Sequence, residues 1–109
     1  MVTDFSSYQS GDDRVGALAW LQGWYAAHCD GDWEHQYGIE VNTLDNPGWS
    51  LRIDLTATEL SGRSYESAEL HRSEHDWYVT RLNEARFEGF CGPLNLGELV
   101  HLFRVWVQG

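Results

Sequence analysis

The first regular pattern along the chain is helical. Ala17, Trp20, Leu21, Trp24 and His28 recur at three- and four-residue intervals, the period that gathers apolar side chains on one face of an α-helix. Leu18 and Tyr25 widen that stripe. Asp12 or Asp13 is placed to cap a helix beginning near Arg14, because a carboxylate there accepts from orphan amides and suits the N-terminal dipole. The helix is expected to stop near Cys29, with Gly31 able to take the left-handed terminating conformation. Trp20 and Trp24 are expected in the core, since such a stripe is more often packing than a cofactor box.

The period then changes to two. Tyr37, Ile39, Val41 and Thr43 alternate with Gly38, Glu40 and Asn42; Leu51, Ile53 and Leu55 alternate with Arg52, Asp54 and Thr56. Each strand has one apolar and one polar face, as in an antiparallel sheet covered on a single side. Pro47-Gly48 suits the centre of a type II turn. A two-residue loop there would set Val41 opposite Asp54 and mix the faces. An odd-length loop pairs Thr43 with Ile53 and Val41 with Leu55, and is preferred because a one-residue slip turns every side chain over. That register sets Glu40 and Asn42 across from Thr56 and Asp54, with Arg52 beside them, on the solvent face.

Ser61-Gly62-Arg63 predicts a turn, and Tyr65 to Leu70 a strand. His71 to Asp76 is polar throughout and is expected to be a loop. Trp77 to Leu82 and Arg86 to Phe90 are the next strands, separated by a turn at Asn83-Glu84. Asn95-x-x-Glu98 resembles a capping box, and Leu96, Leu99, Val100, Phe103 and Trp106 or Val107 form the stripe of a closing helix. The pattern predicts an α+β fold: an N-terminal helix, an antiparallel meander of four to five strands and a C-terminal helix, both helices packed on one face of the sheet. Residues 1–12 carry little to bury and are expected to be a flexible lead-in. Residues 13–109 are expected to form a single domain.

A chain of 109 residues can bury a core without staples. Charge changes the picture further: the formal net charge is -10, and all seven basic residues are arginine. That balance argues against nucleic acid and anionic membrane as partners, whose phosphates need a positive surface. It is compatible with a basic protein partner, whose approach it would accelerate; the other account of the charge is that it confers solubility alone. No apolar run nears the roughly 20 residues that span a bilayer. The N-terminal stretch lacks the basic and apolar regions of a signal peptide, so a cytoplasmic location is expected. Cys29 and Cys91 are too few for a disulfide framework and are expected to be reduced, small and buried.

Candidate chemistry concentrates in His28-Cys29-Asp30-x-Asp32-x-Glu34-His35. These residue types could ligate a metal, yet the run contains no CxxC, HExxH or calcium-loop spacing. The other account of Asp30 and Asp32 is that they end the helix and solvate a loop. Asp32 and Glu34 flank Trp33, and burial beside tryptophan could raise a carboxyl pKa into the general-acid range; short acid-x-acid pieces are frequent in a chain this acidic. No nucleophile elbow, phosphate loop or dinucleotide fingerprint is present, and nothing electropositive is placed to activate Cys29. Nucleophile, base and orienter cannot be named together. No catalytic residue, cofactor or metal ligand is therefore assigned, and a small metal-binding protein or enzyme using the His28–His35 cluster stands as the alternative. Trp33, Trp49 and Trp77 lie at strand ends or loops. Any left exposed among Asp32, Glu34, Asp45 and Asp76 makes an aromatic anchor rimmed by negative charge, although burial is the commoner fate of each.

The run LQGWYAAHCDGDWEHQYGIEVNTLDNPGWSLRIDL resembles the immunity protein 53 family of bacterial polymorphic toxin systems. The resemblance rests on a WY helix, a WE pair and a PGW turn, at Trp24-Tyr25, Trp33-Glu34 and Pro47-Gly48-Trp49. Weaker similarity through RSEHDWYV and FCGPLNLGELVHLFRVW extends it over about Ala17 to Trp106. It implies an α+β protein that binds and neutralises a cognate toxin encoded nearby, stoichiometrically and without turnover. An acidic protein suits a toxin with a basic active surface, a nuclease for example. The family assigns no binding residues. On physical grounds the toxin is expected to meet Asp32, Trp33, Glu34 and His35 at one end, Asp45, Asn46 and Trp49 at the turn, and Glu40, Asn42, Arg52 and Asp54 on the open face. The competing interpretation is that these motifs hold the hairpin together. No pattern indicates an oligomeric state.

Overall fold

The computed structural model describes residues 13–109, with side chains from residue 16 onward; a cap supplied by Asp12 lies outside these. Helix α1 (Asp13–His28) is followed by a single helical turn, α2 (Trp33–Gln36). Five strands come next: β1 (Ile39–Leu44), β2 (Gly48–Asp54), β3 (Ala68–Ser73), β4 (Asp76–Asn83) and β5 (Arg86–Cys91). Helix α3 (Leu96–Gln108) closes the chain. All strand pairs are antiparallel, so the class is α+β as the pattern predicts. The spatial order is β1-β2-β5-β4-β3. This is no sequential meander: the β1–β2 hairpin and the β3–β4–β5 unit join through β5, which sits centrally. The connection from β2 to β3 crosses the helix side, burying Leu55 and Leu60 and setting Tyr65 edge-on against Phe87 and Trp106.

Helix α3 lies directly on β5. Leu99, Val100 and Phe103 are buried, and the Phe103 ring is 5.0 Å from that of Phe87. Helix α1 packs mainly on α3, with Trp24 and Trp20 turning ring edges to Phe103 at 5.2 and 5.9 Å. Its buried stripe is narrower than expected: Ala17, Leu21 and Trp24 are inside, whereas Leu18 is 58% exposed and Tyr25 38%. Because α3 holds the centre of the sheet and α1 follows α3, the outer strand β1 is thinly covered, and Val41 is 45% exposed.

The hairpin keeps apolar opposite apolar, but at a different register from the one expected. Ile39 faces Ile53, Val41 faces Leu51 and Thr43 faces Trp49; Glu40 lies across from Arg52 and Asn42 from Ser50. The loop is Asp45-Asn46-Pro47, with a cis Asn46–Pro47 bond. Gly48 belongs to β2 and not to the turn. A side chain there would run into the backbone carbonyl of Cys91, so glycine is required by the approach of β5.

Three other expectations are corrected. The polar His71-Arg72-Ser73 is strand, because the Arg72 fork is satisfied by Asp76 (2.7 and 3.0 Å) and Glu98 (2.6 and 3.2 Å) and His71 stacks on Trp77. Asn95 stands at the N-cap of α3 without capping it; its Oδ1 accepts from the Trp77 N–H at 3.3 Å and its Nδ2 donates to Asp76 and Glu98. Cys91 is buried, and desolvation pushes its thiol up to about 11, but Cys29 is exposed, its Sγ 3.3 Å from the Tyr25 carbonyl.

Two of the crowded glycines, Gly48 and Gly89, give a ranked expectation. A Cβ on Gly89 would lie 2.6 Å from Leu99 Cδ1, a side-chain atom that can yield, and such overpacking costs about 1–3 kcal/mol. Gly48→Ala meets backbone and should cost more than Gly89→Ala, read from chemical denaturation midpoints. The reverse order would mean that β2 and β5 are not in this register.

Candidate functional site

The acidic tryptophan segment folds on itself. Asp30 Oδ1 accepts from the N–H groups of Asp32 and Trp33, both at 2.9 Å. In return the Glu34 carboxylate accepts from the N–H of Asp30 (2.9 Å) and of Gly31 (2.8 Å). This reciprocal arrangement satisfies the orphan amides ahead of α2, and Gly31 supplies the left-handed turn at φ 91°. The Trp33 and Asp32 amides hold the Asp30 carboxyl below its ordinary range. Backbone amides do the same for Glu34, its own first, against opposing desolvation.

The loop drives Trp33 inward. Its ring is 4% exposed and lies 6.1 Å from Trp24, 6.0 Å from Tyr25, 5.7 Å from His28 and 6.5 Å from Tyr37. Its Nε1–H donates to the Thr56 carbonyl at 2.9 Å, so Trp33 forms core and no exposed anchor. His28 is also engaged: Nδ1 is 2.7 Å from the Trp24 carbonyl and Nε2 is 2.7 Å from Glu59 Oε1. Glu59 accepts from Trp24 Nε1 as well, at 3.2 Å. Burial pushes the Glu59 carboxyl up, but hydrogen bonds from His28, its own backbone and Trp24 outweigh this and leave it below its ordinary range. His28, Asp30 and Glu34 thus serve the fold. Among the described residues, no group of three or more His, Cys, Asp or Glu side chains converges to hold a metal ion. Asp32 and His35 remain exposed.

The sheet face opposite the helices carries Glu40, Asn42, Arg52 and Asp54, as the alternation predicts, and adds residues that the sequence did not single out. Glu88 of β5 is only 4% exposed on this uncovered face, held between Arg52 (3.4 Å) and Arg81 (3.0 Å). Burial pushes its carboxyl up, and Arg81, Asn83 and Arg52 overcome that and keep it below the usual range. Both guanidinium groups lie over the Phe90 ring, 5.4 and 5.3 Å from its centroid. Local periodicity marks each of these as outward-facing; their meeting depends on the β2–β5–β4 order. At one end of this face, Glu40, Arg52, Asp54 and Arg86 line a cleft of about 240 Å³.

Asp45 and Asn46 are exposed in the turn, while Trp49 is half-buried and donates from Nε1 to the Pro93 carbonyl at 3.0 Å. The turn and the Asp32–His35 segment lie at opposite ends of β1, six residues long, hence about 20 Å apart at ~3.3 Å per residue. The predicted residues therefore make two ends and one face strung along β1. On the other side of β1, between it and α1, a groove of about 440 Å³ is lined by Leu21, Tyr25, Glu34, Tyr37 and Ile39 among others. Sequence reasoning missed it, because helical and strand periods alone assign all its apolar residues to core.

Since Trp33 is buried, Trp33→Ala should lower unfolding stability by about 3–5 kcal/mol, measured by denaturant titration. A variant of unchanged stability that fails only in partner binding would instead make Trp33 an interface anchor.

No helix among the described residues is long and apolar enough to cross a membrane. No curated protein and no solved structure matches the chain. The family model described as immunity protein 53 does match, over residues 18–108, taking in α1 from Leu18 onward, the acidic tryptophan loop, the whole sheet and α3. The chain belongs to the immunity protein 53 family.

Proposed function

We propose that this chain protects its cell by binding a cognate polymorphic toxin in the cytoplasm, one copy to one, and blocking it without turnover. The observation that carries the reading is the family match over residues 18–108, which implies a protein partner. The side chains of His28, Asp30, Trp33 and Glu34 are spent on backbone amides, on Glu59 and on the core, which favours binding over a catalytic use of that cluster. The partner-facing residues are the exposed or half-exposed members of the predicted set: Asp32 and His35 at one end, Asp45 and Asn46 at the turn, and Glu40, Asn42, Arg52 and Asp54 on the open face. Glu34 and Trp49 support them from behind.

The net charge of -10 supports a toxin with a basic active surface, a nuclease for example. Exposed carboxylates at Asp32, Glu40 and Asp45 would occupy the groove that phosphates use.

The test is co-expression with the C-terminal toxin domain of the secreted protein encoded next to this chain. Cells carrying both should grow and yield a 1:1 complex. Its affinity should fall at least about fivefold as salt rises from about 50 to about 500 mM, because screening weakens exposed charge pairs. Continued killing would sink the immunity reading; a complex indifferent to salt would sink the electrostatic account of the toxin.

A further inference from the structure

The two edges of the sheet are built differently. β3 carries Glu69, His71 and Arg72 and breaks register between His71 and Ser73; charge and irregularity of this kind blunt an edge against added strands. β1, IEVNTL, has an unbroken register, no proline, no basic side chain and one charge, at Glu40. Among the described residues β1 has β2 as its single neighbour.

Which backbone groups it leaves open follows from the ladder. The N–H of Asp54 donates to the carbonyl of Gly38 at 3.0 Å, so these two form a hydrogen-bonded pair. Alternation along an antiparallel pair then turns the backbone groups of Glu40, Asn42 and Leu44 toward β2. The N–H and C=O groups of Ile39, Val41 and Thr43 point outward. The side chains of these three lie on the helix side, where Val41 is 45% exposed and Ile39 lines the groove with Leu21, Tyr25 and Tyr37.

Resting on the immunity reading, we infer that β1 is where the toxin docks, an extended toxin segment adding as a sixth strand. Main-chain bonds to Ile39, Val41 and Thr43 supply affinity, and alternate side chains supply specificity. Apolar side chains of the added strand enter the groove beside Tyr25 and Ile39, and basic ones on the opposite face meet Glu40. Charge selects this occupant over a second copy of the chain. Two copies paired through β1 would bring together two chains of net charge -10, with a Glu40 on each edge and no basic side chain to meet it, and like charges across a ladder are destabilising.

Val41→Pro removes one outward N–H without touching the bonds to β2, an exchange an edge strand tolerates. Val41→Lys, at an exposed position, adds the charge that natural edges use for protection. Affinity for the neighbouring toxin domain is measured by calorimetry, and thermal unfolding is followed in parallel. Both variants should keep the parent's unfolding midpoint within a few degrees and bind at least about tenfold more weakly, while Glu69→Lys on the opposite edge stays within about twofold. Should Val41→Pro fail to fold, Val41→Lys decides. Folded variants that bind like the parent overturn the assignment of the edge and leave the immunity reading standing. A free chain that sediments as a dimer and is made monomeric by Val41→Lys gives the edge to self-association and overturns the assignment too. A parent chain that binds no toxin domain removes the immunity reading itself, and the edge assignment with it.

Discussion

The architecture depends on how closely α3 can approach β5. Gly89 lets Leu99 settle onto the strand, where an added Cβ would lie 2.6 Å from Leu99 Cδ1, and Phe103 meets Phe87 at 5.0 Å. β5 is also the strand that joins the β1–β2 hairpin to the rest of the sheet. One contact thus fixes the central layer, and α1 is left to pack on α3 through Trp20 and Trp24. Cover runs out toward β1 as a result. The thin cover over β1 and the apolar groove beside it follow from where the helix sits.

The tryptophan end closes the other side of that arrangement. Asp30 and Glu34 exchange hydrogen bonds with each other's neighbouring amides, and the turn so formed lays Trp33 against Trp24 and His28. Residues with the chemistry of a metal or acid–base site are in this way converted into a local clasp. The amides of this turn hold the Asp30 and Glu34 carboxyls below their ordinary range, and hydrogen bonds from His28, its own backbone and Trp24 do the same for Glu59 against the opposing effect of burial. The side chains of Asp32 and His35 take no part in the clasp and stay exposed.

How much of this was legible depends on the range of the interaction. Helices and strands show their periods locally, so both long helices, the β1–β2 pairing and the apolar parity across it follow from spacing alone. The position of the turn does not, because Gly48 answers to Cys91 on β5 and not to its own hairpin. The strand at His71–Ser73 is hidden for a similar reason: a polar run becomes a strand once Arg72 finds Asp76 and Glu98. At the candidate site, Glu40, Asn42, Arg52 and Asp54 were legible as one polar face. Glu88, Arg81 and Phe90 were not, since only the β2–β5–β4 order sets them beside Arg52. The Asp30–Glu34 spacing was the available sign that Trp33 would be turned inward.

Docking of the toxin along the β1 edge, as proposed, is tested most directly by amide exchange resolved residue by residue. In the free protein the outward amides of Ile39, Val41 and Thr43 should exchange fast, and those of Glu40, Asn42 and Leu44, bonded to β2, should exchange slowly. On adding the toxin domain, the outward set should slow and the inward set should change little, giving an alternating pattern along one strand. Slowing confined to β3, or to the surfaces of α1 and α3, with the outward β1 amides still fast, would contradict the account.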